Sequence, residues 1–367
     1  MNGVLHILDA ACDGDAVLEA SLLADRPGQM ICIGPPPRLA GWRGSICKRF
    51  QAVSISRLCR GKMAPLAGRP DAPKVFHCWS ISAAKRVAEL LFNRQAAMVI
   101  RLSRPAAKAQ LPELAQLCRR EPVAVACATA SAAQAARRAQ LRAPVHFIGP
   151  PARPMRLEGD ARAALRRRLG LKAGEVAIAA AGPADRSSGH KLAAWAMAIL
   201  AEAKLPVRLL IEQTGQASRD AAGFAHEAGF GEHVVLTGSD VPLGQLLAAA
   251  DLAVFLGQET FPAATVAAAM AAGLPIVAGD IPAAGDFFVH GVSALLVCPD
   301  RPRDISQAIL KAIEQDDLAC RLSESARALA ADRFNPAATA KSWAGLYAEL
   351  SARAEQARLG RPGAPGS

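Results

Sequence analysis

Aromatic residues are scarce: Phe, Trp and Tyr make up 4% of the 367 residues, against 51% hydrophobic residues overall. The hydrophobic content is carried by Ala, Leu and Val, so any core must be built from small side chains at close helix spacing. The nine cysteines contain no C-x-x-C pair and no regular spacing. That argues against a zinc site or a disulfide framework, and for small buried hydrophobes in a reducing compartment. Residues 1–11 have no basic stretch and carry Asp9 early, which is unlike a signal peptide, so a cytoplasmic protein is expected. Residues 261–279 are uncharged and long enough to mimic a membrane span, but they contain Pro262, Gly273 and Pro275. A helix followed by a buried strand explains them better. Basic residues do not interleave with aromatics, which argues against nucleic acid as a partner.

Charge is present, and mostly positive. The net charge is +11, from 43 basic and 32 acidic residues. Arg119-Arg120, Arg137-Arg138 and Arg166-Arg167-Arg168 read chiefly as a solvated surface. Their functional reading is attraction to an anionic membrane or a phosphorylated acceptor, with peripheral contact at the inner membrane face.

Short apolar runs alternate with helical stretches along the whole chain. Strands are expected at 4–8, 30–33, 74–78, 97–102, 123–127 and 145–148, with helices at 80–93 and 131–142. Three prolines in Gly149-Pro150-Pro151-Ala152-Arg153-Pro154 then stop any helix and stiffen a linker. The alternation resumes with strands at 176–181, 207–212, 234–236, 252–256, 275–278 and 294–297. One or two helices follow over 305–331 and another over 340–350, while 358–367 reads as a disordered Gly/Pro-rich tail. This divides the chain into a domain at 1–150, a second at 151–335, a helix at 336–357 crossing back to the first domain, and the tail at 358–367. Alternating strands and helices mean an α/β protein with parallel sheets.

The most informative stretch is 251–280, DLAVFLGQETFPAATVAAAMAAGLPIVAGD. It reads as buried strand, loop with one carboxylate (Glu259), Ala-rich helix, turn and second strand. A carboxylate and free backbone N–H groups meet there at a helix entrance beside the carboxyl end of a strand, where α/β proteins bind ligands and phosphates.

These residues resemble the donor-nucleotide site of retaining GT-B glycosyltransferases of the family-four type, the glycosyl transferases group 1. That family carries E-x-F-(G/P), then a second Glu opening E-A-M-A-x-G-L-P-V-V. Glu259, Phe261 and Pro262 match the first part; Ala269, Met270, Ala271, Gly273, Leu274, Pro275 and Val277 match the second. Ala268 takes the place of the second Glu, and the spacing from Glu259 is one residue longer. The stretch from Gly182 to Lys191 resembles the family's G-R-L-x-x-x-K-G loop, with Arg186 and Lys191 keeping the Arg-to-Lys separation.

The resemblance implies a GT-B fold: two doubly wound Rossmann-like domains with a cleft between them, the acceptor on the first and the nucleotide-sugar donor on the second. It implies a retaining glycosyltransferase, acting on a glycan or lipid-linked acceptor in polysaccharide or glycolipid synthesis. Arg186 and Lys191 would hold the donor diphosphate, where fixed cations stabilise the negative leaving group. No metal and no other cofactor would then be required. Glu259 would orient the donor sugar. Gly182, Thr260, Phe261 and Pro262 would surround the phosphates through their backbone, and Gly238 and Val241 would pack on the nucleotide base. On the acceptor side, His77 and Arg101 are the candidates. The family's glycine-rich loop after the first strand is replaced by Asp9-Ala10-Ala11-Cys12-Asp13-Gly14-Asp15, and carboxylates beside a diphosphate are unfavourable. That departure and Ala268 motivate a competing reading, a degenerate GT-B protein that binds a ligand or partner without catalysis.

Overall fold

The computed structural model describes residues 4–9, 12, 16, 19–20, 23, 30–33, 50–53, 75–90, 97–120, 122–152, 157, 159–182, 187–212, 216–238 and 241–359. The described residues up to Gly149, with those from Ala337 onward, form one compact unit; those of Pro150–Pro336 form a second. Arg186, Asp13, Asp15 and the tail from residue 360 lie outside the described residues.

The first unit contains a parallel sheet of seven strands: β1 (Val4–Asp9), β2 (Met30–Ile33), β3 (Phe50–Val53), β4 (Val75–Cys78), β5 (Ala97–Leu102), β6 (Val123–Cys127) and β7 (Val145–Phe147). Their order is β3-β2-β1-β4-β5-β6-β7. Strand β3 is absent from the sequence expectation, because FQAV is only four residues long and sits in a strongly basic stretch. The central strands are buried along their whole length, as strands covered on both faces must be. On one face Leu5, Ile7, Phe76, Met98 and Ile100 pack against α1 (Ile81–Leu90), α2 (Leu111–Leu117) and α3 (Ala130–Arg138). Thr129 caps α3 by accepting the Ala132 N–H at 3.1 Å.

The second unit repeats the plan with six parallel strands: β8 (Val176–Ala180), β9 (Val207–Glu212), β10 (Val234–Thr237), β11 (Leu252–Phe255), β12 (Ile276–Gly279) and β13 (Leu295–Val297). Their order is β10-β9-β8-β11-β12-β13. The helices are α4 (Gly159–Arg168), α5 (His190–Glu202), α6 (Gln216–Glu227), α7 (Leu243–Ala249), α8 (Ala263–Ala272), α9 (Pro302–Glu314) and α10 (Asp316–Arg333). Helix α8 is so poor in side-chain volume that it lies buried on nearly all sides. It ends at Gly273, whose φ of 72° is left-handed and whose missing side chain leaves room for the Arg327 guanidinium. Both units are doubly wound, so the fold is α/β with two Rossmann-like domains.

The last helix, α11 (Pro336–Leu359), belongs with the first unit. Thr339 Oγ1 donates to the Gly149 carbonyl at 3.3 Å. Trp343 and Tyr347 pack on the sheet face opposite α1–α3, where β1, β4 and β5 present His6, His77 and Arg101. Among the described residues no helix is long and apolar enough to cross a membrane.

Of the arginines read as solvated surface, Arg166 and Arg120 make internal bonds, as does Arg162 on the same helix as Arg166. Arg162 and Arg166 of α4 pair with Asp251 at 2.6 and 2.9 Å, and Arg166 also donates to the carbonyls of Ala249 and Glu175. They fasten α4 to the segment entering β11. Arg120 donates to the Ala88 carbonyl at 2.6 Å. Of the six described free cysteines, Cys12, Cys78, Cys118 and Cys127 are buried, while Cys298 and Cys320 are exposed.

Candidate functional site

In a doubly wound sheet the crevice lies at the carboxyl ends of the two strands where the winding reverses. In the second unit those strands are β8 and β11, which pair directly, Val254 opposite Ala180. The chain leaves β8 into the Gly182–Gly189 loop and leaves β11 into the Gly257–Pro262 loop. The two segments singled out in the sequence are therefore neighbours by topology.

They also touch. The Gln258 N–H donates to the Ser187 carbonyl at 3.0 Å. Gly182 has φ of 111°, and a Cβ on it would stand 2.7 Å from Pro262 Cγ. Gly189 has φ of 77°, and a Cβ on it would collide with the backbone carbonyl of Leu256. Both glycines combine a left-handed backbone with a close approach, so no other residue fits either place. Gly257 makes the second loop tight, its backbone folding against the Thr260 carbonyl. On the far side, Gln258 Nε2 donates to Asp300 Oδ1 at 3.1 Å.

Glu259 projects from this clipped loop and is exposed. Thr260 is partly buried. Phe261 is only 2% exposed and packs on Phe287 and Phe288 at 6.2 and 5.9 Å between ring centroids. Its side chain is an anchor, leaving only its backbone to face a ligand. Pro262 precedes α8 as its N-cap, and Ala268 sits further along α8, partly exposed. On the neighbouring edge, the Gly238 carbonyl accepts the Val241 N–H at 3.1 Å, and Val241 is buried.

Lys191 is the second residue of α5 and is exposed; its ammonium rests 5.2 Å from the Phe224 ring centroid on α6. Just before it, His190 is 4% exposed, and its Nδ1 lies 2.5 Å from Ser188 Oγ. Sequence reasoning missed Ser188, His190 and Gln258. The available signal was the pair of glycines at 182 and 189, which marks where the loop must turn.

The acceptor-side candidates are corrected by their burial. His77 is fully buried, stacked on Trp79 at 4.3 Å and within 2.7 Å of the Tyr347 hydroxyl through Nδ1. Burial first, then His6 and Arg101, holds its pKa well below the ordinary value. Arg101 is 1% exposed and forms a two-point pair with Glu19, at 3.1 and 2.5 Å, while donating to the Ile148 carbonyl at 2.8 Å. Trp343 lies against its guanidinium at 5.2 Å. The reason is α11, whose aromatic side chains cover this sheet face, so neither residue opens to an acceptor. At the first sheet's own reversal point, Asp9 Oδ1 accepts the Ser80 hydroxyl at 2.9 Å, so that carboxylate is engaged within the fold. Among the described residues no group of three His, Cys, Asp or Glu is placed to hold a metal ion.

Residues 161–329, which contain both loops, match the family model described as glycosyl transferases group 1. Among solved structures, the chain is similar to Anabaena Alr3699/HepE in complex with UDP and glucose, with a TM-score of 0.78 at 16% identity, covering 95% of this chain and 100% of that one. It is similar to sucrose-phosphate synthase from Thermosynechococcus elongatus, with a TM-score of 0.68 at 17% identity over 95% and 99% of the two chains. It is also similar to WaaG, a glycosyltransferase involved in lipopolysaccharide biosynthesis, with a TM-score of 0.61 at 14% identity over 92% and 98%. No match was found among curated proteins. With its two doubly wound units the chain has the GT-B fold, and its second unit matches the glycosyl transferases group 1 model.

Proposed function

We propose that this protein is a glycosyltransferase that moves a sugar from a uridine diphosphate sugar to a glycan or lipid-linked acceptor, with retention of configuration, in polysaccharide or glycolipid synthesis. The observation that carries the reading is the joining of the loops after β8 and β11 by the Gln258–Ser187 hydrogen bond and the Gly182–Pro262 contact. The UDP and glucose in the Anabaena structure support the donor class.

In this reading the Gly182–Lys191 segment, with Arg186, faces the diphosphate, and Glu259 orients the sugar. Thr260, Phe261 and Pro262 contribute backbone at the entrance of α8, where N–H groups favour phosphate. Gly238 and Val241 flank the base. The chemistry is stabilisation of the departing diphosphate by fixed donors, with no metal ion required. The exposed Arg119, Arg138 and Arg167 suit peripheral contact with anionic lipid at the inner membrane face.

A second reading, ligand binding without turnover, is favoured by Ala268 and by the burial of His77 and Arg101 beneath α11. Calorimetric titration with UDP and GDP, followed by a donor-hydrolysis assay with UDP-glucose, separates the two. Micromolar UDP binding with slow release of glucose supports a transferase. Binding without any release supports the second reading, and no binding at millimolar nucleotide overturns both.

A further inference from the structure

The loop that carries Glu259 is held on both sides of that residue. After it, Phe261 is buried against Phe287 and Phe288. Before it, Gln258 makes two bonds in different directions. Its N–H donates to the Ser187 carbonyl at 3.0 Å, on the β8 side. Its side-chain Nε2 donates to Asp300 Oδ1 at 3.1 Å, on the β13 side. Asp300 belongs to a turn after β13 in which the Arg301 N–H donates to the Cys298 carbonyl at 3.2 Å. Between them lies the end of β12. A Cβ on Gly279 there would stand 3.2 Å from both the Gly257 carbonyl oxygen and Pro299 Cβ, so the loops after β11 and β13 both approach this strand end.

We infer that Gln258 and Asp300 are positioning residues for Glu259, so that the turn after β13 sets how the donor sugar is held although it lies some forty residues further along the chain. The inference rests on the donor-site reading above, in which Glu259 orients the sugar. Glu259 is exposed, so the backbone on either side of it must fix where its carboxylate points. Phe261 fixes one side by packing, and the Gln258–Asp300 bond fixes the other. Small displacements of a group that orients a substrate are costly, which is why such a group needs support. The residue types suit the task. A carboxylate accepts strongly from an amide N–H, and a glutamine amide carries no charge. A lysine at 258 could also reach Asp300, but its ammonium would compete for the adjacent Glu259 carboxylate.

UDP and UDP-glucose differ by the sugar alone, so a defect in sugar orientation separates them. The test is titration of wild type, Gln258→Ala, Gln258→Glu, Asp300→Ala, Asp300→Asn and the double variant Gln258→Glu/Asp300→Asn with both ligands, each variant first checked for an unchanged melting temperature. Glu259→Gln sets the scale. Gln258→Ala and Asp300→Ala should each lose roughly fivefold to tenfold in UDP-glucose affinity while UDP affinity stays unchanged. Gln258→Glu, which sets two carboxylates against each other, should lose as much. Asp300→Asn keeps an acceptor oxygen and should stay near wild type. The double variant reverses donor and acceptor across the same gap and should recover most of the loss of Gln258→Glu, the coupling that marks a direct bond. Equal losses for UDP and UDP-glucose overturn the inference, because the pair then supports the whole loop rather than Glu259. A double variant no better than Gln258→Glu overturns it as well, and so do wild-type affinities in Gln258→Ala and Asp300→Ala where Glu259→Gln is impaired. If Glu259→Gln itself binds UDP-glucose like wild type, the reading of Glu259 falls and this inference falls with it.

Discussion

His77 Nδ1 and the Tyr347 hydroxyl lie 2.7 Å apart, although 270 residues separate them in the chain. Around them His77 also meets His6, Trp79 and Trp343, with ring centroids 4.3 to 5.0 Å away. This cluster holds α11 on the first sheet. Tyr347→Phe keeps the ring and removes the hydrogen bond, leaving a buried nitrogen unsatisfied. The expected cost is about 1–3 kcal/mol, read as a lower urea midpoint.

The same cluster sets an acid limit. His77 has a folded pKa held well below the ordinary 6.5, so the unfolded chain binds its proton more readily. Stability from this group is whole above about pH 6.5 and is lost as pH falls toward the folded pKa, at up to about 1.4 kcal/mol per pH unit. Burial dominates, and the nearby His6 and Arg101 act in the same direction. Urea unfolding of wild type and His77→Phe between pH 5 and pH 7.5 should show the variant with a flatter profile. Equal slopes would remove His77 from the acid sensitivity.

Gly189 lies where β11 and α5 press together, with φ of 77° and the Leu256 carbonyl where a side chain would stand. Ala at this position needs both a strained backbone and a displaced loop. A left-handed non-glycine residue alone costs on the order of 1–3 kcal/mol. Gly189→Ala should therefore lower stability and abolish UDP binding together. Gly174→Ala, also left-handed at φ of 81° but open to space on all sides, should lower stability while leaving UDP affinity unchanged.

Buried strands announce themselves, and that made the fold legible. VLHIL, VFHC, AMVIRL and VAVAC, like all the strands of the second unit, are apolar runs bounded by turn residues, as parallel strands covered on both faces require. Phe50–Val53 escaped because four residues among arginines and lysines carry no such contrast. Helix α8 was legible from its alanines and from Gly273. The charged positions were not. The Arg186-to-Lys191 spacing looks like the family motif, but Arg186 lies outside the described residues, so the pair is not placed together. His77 and Arg101 read as open to an acceptor because their partners Trp343 and Tyr347 lie on α11, and no local pattern near residue 77 or 101 points to a helix so distant in sequence.

The thiols offer a check on packing that is independent of the donor site. Burial pushes the Cys118 and Cys127 thiols up to about 11, in the second case against the pull of Arg101 and Arg137. Cys298 is exposed after β13. Cys320 is exposed too, but the carboxylate of Glu324 raises its pKa. Since the thiolate is the reactive form, iodoacetamide at pH 8 should modify Cys298 first, Cys320 more slowly, and Cys118 and Cys127 only after unfolding. Peptide mapping reads the order, and early labelling of Cys127 would contradict the packing of β6 against its neighbours.

Ala268 is where this chain departs most from the family pattern, and it can be reversed. It occupies a partly exposed position on α8, the helix that Pro262 opens beside the Glu259 loop. A glutamate there could accept hydrogen bonds from the nucleotide ribose, and a hydrogen bond to a charged group contributes about 1.5–3 kcal/mol. Ala268→Glu should therefore raise UDP affinity by roughly tenfold to a hundredfold. Uridine should gain by the same factor, because the ribose is common to both and the phosphates are not. A variant that gains nothing with either ligand would mean that α8 is turned away from the nucleotide, and the donor site would have to be rebuilt around the Gly182–Gly189 loop alone.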